Sequence, residues 1–347
     1  MKRFLEWLVP VGAILLAGLV GAVIMLAIGV DPLEAYGALI QGAFGDKHRF
    51  FNTLARSTPL IFTGLAVAFA FRTGLFNIGV EGQMYIAAAA AAYVGFAISL
   101  PGPIHAIVAI LAAMAAAGIW AAIPGYLKAK LGVHEVINTI MMNYIAYGIA
   151  AYYVKIFQAP GQVPRTPDVA PSAALATIQE LTNNWTRSKM NVGFFLALVA
   201  LVVVWYLLWK TVTGYEIRAV GLNPLAAEYG GINVKKMIIL AMTISGVLAG
   251  LAGAERVLGF HRAYISNFSP GYGFEGIAVA LLGKNHPVGV LFSALLFGAL
   301  ANGGQYMNMA TRVPADLIVV IQAIIIFFVA ADQIVRSFLP KLKGGEA

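Results

Sequence analysis

The chain has 347 residues, of which 60% are hydrophobic and 11% charged, with a formal net charge of +8. Soluble domains average roughly 25% charged residues, so this composition indicates an integral membrane protein with many spans. The basic residues lie in short segments between apolar runs, which is how membrane topology is encoded, so no nucleic-acid partner is expected. Cysteine is absent, which excludes disulfides, zinc fingers and thiol nucleophiles.

The apolar runs predict ten membrane-spanning helices in a single transmembrane domain, because about 20 apolar residues cross a bilayer. The expected spans are residues 7–30, 57–71, 80–100, 104–127, 136–155, 190–210, 237–256, 274–283, 286–305 and 314–331. The first run is longer than a signal-peptide core and is interpreted as a retained span. An even count places both termini on one side, and the distribution of Lys and Arg favours the cytoplasmic side.

Three polar regions separate these spans. Residues 31–56 are mixed in character, and the charges at 46–49 beside two phenylalanines suggest an interfacial segment. Pro101-Gly102-Pro103 predicts a turn inside a long uncharged run. Residues 158–189 contain four prolines and predict an extended loop, and residues 211–236 form a polar cytoplasmic segment with its own helical core.

A polar stretch from Arg72 to Gln83 interrupts two uncharged runs. Its three glycines, Gly74, Gly79 and Gly82, each disfavour a helix interior by about 1 kcal/mol relative to Ala. The stretch therefore predicts a helix that ends near residue 71 and another that begins near residue 81. One interpretation is a break at membrane depth, as in transporter pathways. The other is a short polar loop at the membrane surface.

The interrupted stretch has a counterpart later in the chain. Gly79-Val-Glu81-Gly82 recurs as Gly273-Phe-Glu275-Gly276, and each copy opens an apolar helix. The match is either an internal repeat or a coincidence in a glycine-rich chain. If it is an inverted repeat, the two breaks should approach each other beside a common axis.

Candidate pathway residues follow from these positions. They are Asn77, Glu81, Gln83, Asn138, Asn143 and Glu275. A carboxylate inside a bilayer is costly, so the two glutamates either cap helices and hold the breaks together or line the path. The amides either bridge helices or contact the solute. As a set they fit a path for a neutral polar solute.

A short capped helix is predicted within the cytoplasmic segment. Asn223-Pro224 reads as an N-cap followed by proline at the first helical position, and Gly230-Gly231 ends the helix. Such an element is either a docking helix for a partner or a surface loop with one helical turn. The residues assigned to docking are Asn223, Pro224, Ala226, Ala227, Gly230 and Gly231.

The chain carries no catalytic motif. Gly283-Lys284 does not complete a phosphate-binding loop because position 278 is Ala, and the five histidines are scattered. We therefore expect neither an enzyme nor a cofactor or metal site in this chain.

Four stretches resemble the permease subunits of bacterial ATP-binding cassette (ABC) importers for simple sugars and nucleosides. They are Phe71–Gln83, Arg218–Ile232, Ser245–Gly253 and Gly273–Gly283, and the likeness covers nearly the whole chain. The resemblance implies an all-α fold like that of the vitamin B12 importer, with inverted halves. It also implies a cytoplasmic ATPase, a second permease subunit in a heterodimer and an extracellular solute-binding lipoprotein. The first stretch looks closest to purine nucleoside importers, with ribose-type sugar permeases as the alternative.

Two other classes remain as rivals. An ion-coupled secondary transporter would carry protons on Glu81, Glu275 or Asp316 and would not need a docking helix. A membrane enzyme or scaffold is disfavoured because the catalytic constellations are missing from the sequence.

Overall fold

The computed structural model describes residues 2–158, 164–183, 185–311, 313–314 and 316–330. These residues are organised as α-helices and one π-helix, with isolated β-bridges but no strand in the described part. They fall into two compact units. One comprises the described residues of 1–43 and from 300 onward, and the other comprises residues 44–299.

The smaller unit is built from the first and last helices. Its elements are α1 (Lys2–Ala27), most of α2 (Pro32–Phe44), the end of α13 (Pro287–Thr311) and α14 (Asp316–Ala330). Close packing relies on glycine: a Cβ at Gly21 would lie 2.9 Å from Ile321. The Asn302 amide donates a 3.1 Å hydrogen bond to the Gly42 carbonyl, so this polar side chain joins two helices.

The larger unit contains the remaining helices. They are α3 (Lys47–Phe71), α4 (Val80–Ala97), α5 (Gly102–Leu131), α6 (Glu135–Phe157), α7 (Ile178–Leu181), α8 (Gly193–Lys210), α9 (Val212–Leu222), α10 (Pro224–Tyr229), α11 (Val234–Ala254), the π-helix Glu255–His261, α12 (Tyr272–Leu282) and the first half of α13. Helices α3, α4 and α11 are largely buried, whereas α5, α6 and α8 expose many apolar side chains. Apolar exposure of this kind fits an outer layer in contact with lipid.

Small side chains allow α4, α5 and α11 to pack closely. A Cβ at Gly246 would lie 2.4 Å from the Ala117 carbonyl oxygen, and a Cβ at Gly253 would lie 2.4 Å from the Met84 carbonyl oxygen. The alanine run 87–92 is almost wholly buried. Contact of small residues between backbones is the usual basis of helix association in membranes.

Helix boundaries agree with the sequence at some points and differ at others. The turn expected at Pro101 separates α4 from α5. Helix α3, however, begins at Lys47 rather than near residue 57, because Asp46 caps it by accepting a hydrogen bond from the Arg49 N–H. The helix that was expected to end near residue 256 continues as a π-helix to His261.

The long polar loop is packed rather than simply extended. Thr166 and Val169 donate backbone hydrogen bonds to the carbonyls of Tyr264 and Arg262 beyond the π-helix. Helix α7 inside the loop has a reciprocal capping box between Thr177 and Glu180. Burial would raise the pKa of the Glu180 carboxyl, but hydrogen bonds from the Thr177 N–H and the Arg262 guanidinium hold that pKa below its usual value.

Several helices are long and apolar enough to cross a membrane. Among the described residues, five meet both criteria: Lys47–Phe71, Gly102–Leu131, Gly193–Lys210, Val234–His261 and Pro287–Thr311. Shorter apolar helical stretches are Ile14–Ala27, Tyr272–Leu282 and Asp316–Phe327. The protein is therefore a multi-pass membrane protein.

Candidate functional site

The polar stretch after α3 forms a real interruption, which we define as residues 72–79. Helix α3 ends at Phe71 and α4 begins at Val80, as the glycines predict. Gly74 adopts a φ of +75°, a left-handed conformation that other L-residues rarely adopt. Residues 75–79 are not helical, so their backbone groups need partners from elsewhere in the protein.

The buried Asn77 side chain stabilises the interruption through hydrogen bonds. Its Nδ2 donates to the Ser245 hydroxyl on α11 at 2.8 Å, and its Oδ1 accepts from the Gly79 N–H at 2.9 Å. Gln83 exchanges two 3.2 Å amide bonds with Asn77. Ser245 in turn donates to the Ala66 carbonyl on α3 at 2.6 Å. All three polar side chains are buried, so this network takes the place of the missing helical bonds.

Asn143 on α6 closes the other side of the interruption. Its Oδ1 accepts from the Gly82 N–H and its Nδ2 donates to the Ile78 carbonyl, each at 2.9 Å. The Gly82 N–H belongs to the first turn of α4, where backbone donors have no partner within the helix. In the described structure, Asn77 and Asn143 therefore complete the backbone of one break, and Gln83 supports it through the Asn77 side chain.

Asn138 does not join this network. It lies on α6 and is half-buried, and its Nδ2 is buried with no hydrogen-bond partner among the described atoms. Among the four predicted pathway amides, Asn138 is therefore the one whose N–H donor does not bond within this network.

Glu81 joins the two repeated motifs. Its Oε2 accepts a 2.5 Å hydrogen bond from the Gly273 N–H, and a Cβ at Gly273 would lie 2.3 Å from the Glu81 backbone nitrogen. The Ser269 hydroxyl also donates to Glu81. Glu275 lies in the first turn of α12 and interacts electrostatically with Glu81 and Arg56. The expected approach of the two motifs is confirmed.

A buried ion pair lies in the π-helix next to this region. Arg256 binds Glu255 through two contacts of 2.6 and 2.7 Å, and both side chains are at most 1% exposed. Asn191 donates to Glu255 at 2.8 Å, and Arg256 donates to the Ala55 carbonyl at 3.1 Å. The pair thus joins α3, the π-helix and Asn191, which lies two residues before α8.

This pair was not among the residues predicted from the sequence, although a signal was present. Residues 237–260 contain no other charged residue than Glu255 and Arg256. Ionisable residues inside a membrane segment are rare and commonly functional, and π-helical turns occur often at functional sites.

Aromatic side chains cluster near Glu81, which interacts electrostatically with Tyr85 and Tyr147. We define the aromatic group as Tyr85, Tyr147, Tyr153, Tyr264 and Phe268. The Phe268 ring lies 4.7 Å from Tyr85 and 5.4 Å from Tyr264, measured between centroids. Tyr147 lies 5.0 Å from Tyr85, and Tyr153 lies 5.4 Å from Tyr264. The Tyr264 hydroxyl is buried and has no partner among the described atoms.

The predicted short helix is present as α10. The Asn223 side chain accepts from the Ala226 N–H at 3.1 Å, Pro224 is the first helical residue, and Gly230 is the C-cap. Gly231 follows with a φ of +84°. Ala227 is buried, so this alanine packs inward.

Helix α10 and the end of α9 present large apolar side chains to solvent. Tyr229 is 98% exposed, Leu222 88% and Leu225 78%. Residues 225 and 229 are one helical turn apart and share a face. Apolar side chains this exposed on a polar segment favour a surface that another protein covers.

Helix α9 contacts the interruption directly. A Cβ at Gly221 would lie 2.1 Å from the Arg72 carbonyl oxygen and 3.1 Å from the Gly74 nitrogen. A movement of α9 would therefore be passed to the start of the interruption without an intervening flexible side chain.

Comparison with known proteins supplies a context for this arrangement. Residues 49–330 match the family described as "Branched-chain amino acid transport system / permease component". The chain is 44% identical to the guanosine ABC transporter permease protein NupP of Bacillus subtilis, over 99% of this chain and 98% of that protein. It is 39% identical to the nucleoside ABC transporter permease protein NupB of Lactococcus lactis, over 98% and 95% respectively.

A third relative is named for a different solute. The glucose ABC transporter permease protein TsgB13 of Haloferax volcanii is 32% identical over 97% of this chain and 90% of its own length. No solved structure matches the chain. These likenesses extend over almost the whole sequence and are not confined to one motif.

Proposed function

Because this chain belongs to the permease component family of branched-chain amino acid transport systems, we propose that it is the membrane permease subunit of an ABC importer for a nucleoside. The observation that carries the proposal is the near full-length likeness to two permeases named for guanosine and nucleoside transport. ATP hydrolysis belongs to a separate cytoplasmic subunit, and this chain provides the path through the membrane.

The proposed architecture has ten crossings, inverted halves and a fold like that of the vitamin B12 importer. The contact between Glu81 and Gly273 supports inverted halves, because it joins the first motif directly to the second. Helix α12 has 11 residues and is therefore about 16 Å long, roughly half of the 30 Å hydrocarbon core. Its first turn, and with it Glu81, is proposed to lie near the middle of the membrane.

Both termini and the segment 211–236 are proposed to be cytoplasmic. Basic residues near this side support the orientation, since cytoplasmic loops carry an excess of Lys and Arg. The polar loop at 158–189 then faces the outside, where an extracellular solute-binding lipoprotein would release the solute. A second permease subunit completes the transporter.

The solute path is proposed to pass the aromatic group and the interruption. Aromatic rings stack on nucleobases with little dependence on base identity, so the aromatic group suits a nucleoside. In the described structure the side chains of Asn77 and Asn143 bond backbone groups of residues 78–82, and Gln83 bonds the Asn77 side chain. We propose that they hold this closed arrangement and that the path opens when the interruption moves. Asn138, with an uncommitted donor, is a candidate solute contact.

We propose that ATP hydrolysis is coupled to transport through α10. Leu225 and Tyr229 would insert into a groove of the ATPase, and the contact of Gly221 with Arg72 would carry the resulting movement to the interruption. A proton-coupled secondary transporter would have no use for this exposed apolar helix.

Uptake by the assembled transporter in proteoliposomes tests the proposal. Labelled guanosine should enter with ATP present and continue when the proton gradient is collapsed. Excess unlabelled nucleosides should compete, whereas glucose should not. Uptake that follows an imposed pH gradient without ATP would replace the proposal with a secondary transporter. Competition by glucose but not by nucleosides would favour the sugar alternative, which the relative named for glucose supports.

A further inference from the structure

Cationic and aromatic side chains gather at the end of α8. The Arg72 guanidinium lies 5.1 Å from the Trp209 ring centroid, and the Arg218 guanidinium lies 6.0 Å from it. The Lys210 ammonium lies 5.5 Å from the Trp205 ring. We define Arg72, Lys210 and Arg218 as the cationic rim.

The charge of this rim is not neutralised within the described protein. No carboxylate among the described residues forms an ion pair with any of the three side chains. Arg72 instead donates to the carbonyls of Asn285 at 2.8 Å and Lys284 at 3.2 Å. These bonds fix its position and leave its net charge in place, so the rim favours an anionic ligand.

An apolar groove begins at the same rim. It has a volume of about 340 Å³ and lies between α8 and the start of α13. Its lining consists of Leu198, Leu201, Val202, Trp205, Pro287, Val288 and Leu291. Val202 and Val288 are 64% and 50% exposed, so the groove opens on the outer surface of the helices.

The groove and the rim form one continuous surface. Trp205 lines the groove and also contacts Lys210. His286 precedes the lining residue Pro287, and its ring lies 4.9 Å from Trp209, which both arginines face. An apolar groove that ends at a cationic rim with tryptophan side chains is complementary to a molecule with an anionic head and a hydrocarbon tail.

We propose that this surface binds an anionic phospholipid, with one acyl chain in the groove and the phosphate on the cationic rim. Guanidinium groups bind phosphate oxygens well, and tryptophan and basic residues are enriched at the level of lipid headgroups. Basic pockets between membrane helices on the cytoplasmic side bind anionic headgroups. The bound lipid would lie beside Arg72, the first residue of the interruption. The inference does not depend on which solute is transported.

Other occupants fit the surface less well. A water-soluble ATPase cannot enter a wholly apolar groove on the membrane-facing side of α8. A second permease chain could cover the groove, but an apolar helix face from such a chain would leave the three cations without a counter-charge.

Lipid retention by the purified transporter tests the proposal. The complex is exchanged into nanodiscs containing phosphatidylglycerol or phosphatidylcholine with identical acyl chains, and the retained lipid is counted by native mass spectrometry. Each basic residue near an anionic surface contributes roughly a fivefold preference. The double variant Lys210→Gln with Arg218→Gln should therefore reduce phosphatidylglycerol retention about 25-fold. The matched control is Lys235→Gln with Lys236→Gln, which removes two exposed charges from the same segment and should leave retention unchanged.

A second pair of variants tests the groove itself. Val202→Phe should fill the groove and lower phosphatidylglycerol retention, whereas Val203→Phe, on an adjacent exposed position of α8, should not. If Val202→Phe does not fold, the wild-type protein still provides a test. Brominated phosphatidylglycerol should quench its tryptophan fluorescence more than brominated phosphatidylcholine, and Trp205→Phe should remove most of the difference.

Three results would overturn the proposal. They are equal retention of the two lipids by the wild type, equal loss in the charge variant and its control, and equal retention in the two phenylalanine variants. A photoreactive residue placed at Val202 that crosslinks to the second permease chain and not to lipid would also overturn it.

Discussion

The interruption at 72–79 and the polar segment at 211–236 are both irregular, yet their backbone groups are satisfied in different ways. Asn77 and Asn143 supply hydrogen bonds to the interruption from inside the protein, and both are buried. The polar segment caps its helix α10 locally through Asn223 and leaves Leu225 and Tyr229 in solvent. Irregular backbone that is buried must find its hydrogen bonds within the protein, whereas irregular backbone at the surface can bond water.

The largest effect on stability is expected at the buried ion pair in the π-helix. Arg256→Ala should lower the free energy of unfolding by about 3–5 kcal/mol, because it leaves the Glu255 carboxylate buried without its counter-charge. Denaturant titration in mixed micelles measures the change. Arg262→Ala is the matched control, since Arg262 pairs with the exposed Glu180, and its cost should be at most about 1 kcal/mol. Equal losses would show that burial does not distinguish the two pairs.

Asn143 tests whether the interruption depends on side chains from other helices. Asn143→Ala leaves the Gly82 N–H and the Ile78 carbonyl unpaired and should destabilise the protein by about 1–3 kcal/mol per unsatisfied group. Asn138→Ala on the same helix is the control and should cost less, because the Asn138 Nδ2 has no partner to lose. A greater loss at Asn138 in thermal unfolding would contradict this assignment.

Gly221 tests the contact between the two regions. Gly221→Ala places a methyl group 2.1 Å from the Arg72 carbonyl oxygen, so the backbone must shift. We expect a loss of about 1–3 kcal/mol in stability, as for other overpacked sites, and slower uptake. The control is Gly148→Ala on α6, whose Cβ would meet no neighbouring atom within 4 Å. Wild-type uptake and stability in Gly221→Ala would contradict the proposal that the contact of Gly221 with Arg72 transmits movement.

The smallest effect on stability is expected at the exposed helix α10. Leu225→Ser with Tyr229→Ser should change the free energy of unfolding by no more than about 0.5 kcal/mol, because both side chains are in solvent. Co-purification of the ATPase and ATP-driven uptake should nevertheless fall sharply. Tyr215→Ser, also at an exposed site of this segment, is the control. If the double variant retains the ATPase normally, α10 is not the docking element.

Local chemistry allowed the sequence alone to determine several boundaries. Glycines predicted the end of α3 and the start of α4, prolines predicted the turn before α5, and an Asn-Pro pair predicted α10. Each of these signals acts within a few residues, through backbone freedom, a missing N–H or a side-chain cap. The recurrence of Gly-x-Glu-Gly also predicted that two distant segments would meet.

Tertiary structure decided what the polar residues do. Asn77 binds Ser245, which is 168 residues away, and neither residue type specifies that pairing. The Glu255–Arg256 pair, the π-helix that carries it and the aromatic group depend on packing among helices that the sequence order does not reveal. A hydrogen bond or ion pair in a protein interior is fixed by which groups are left without water. That condition exists only after the helices have come together.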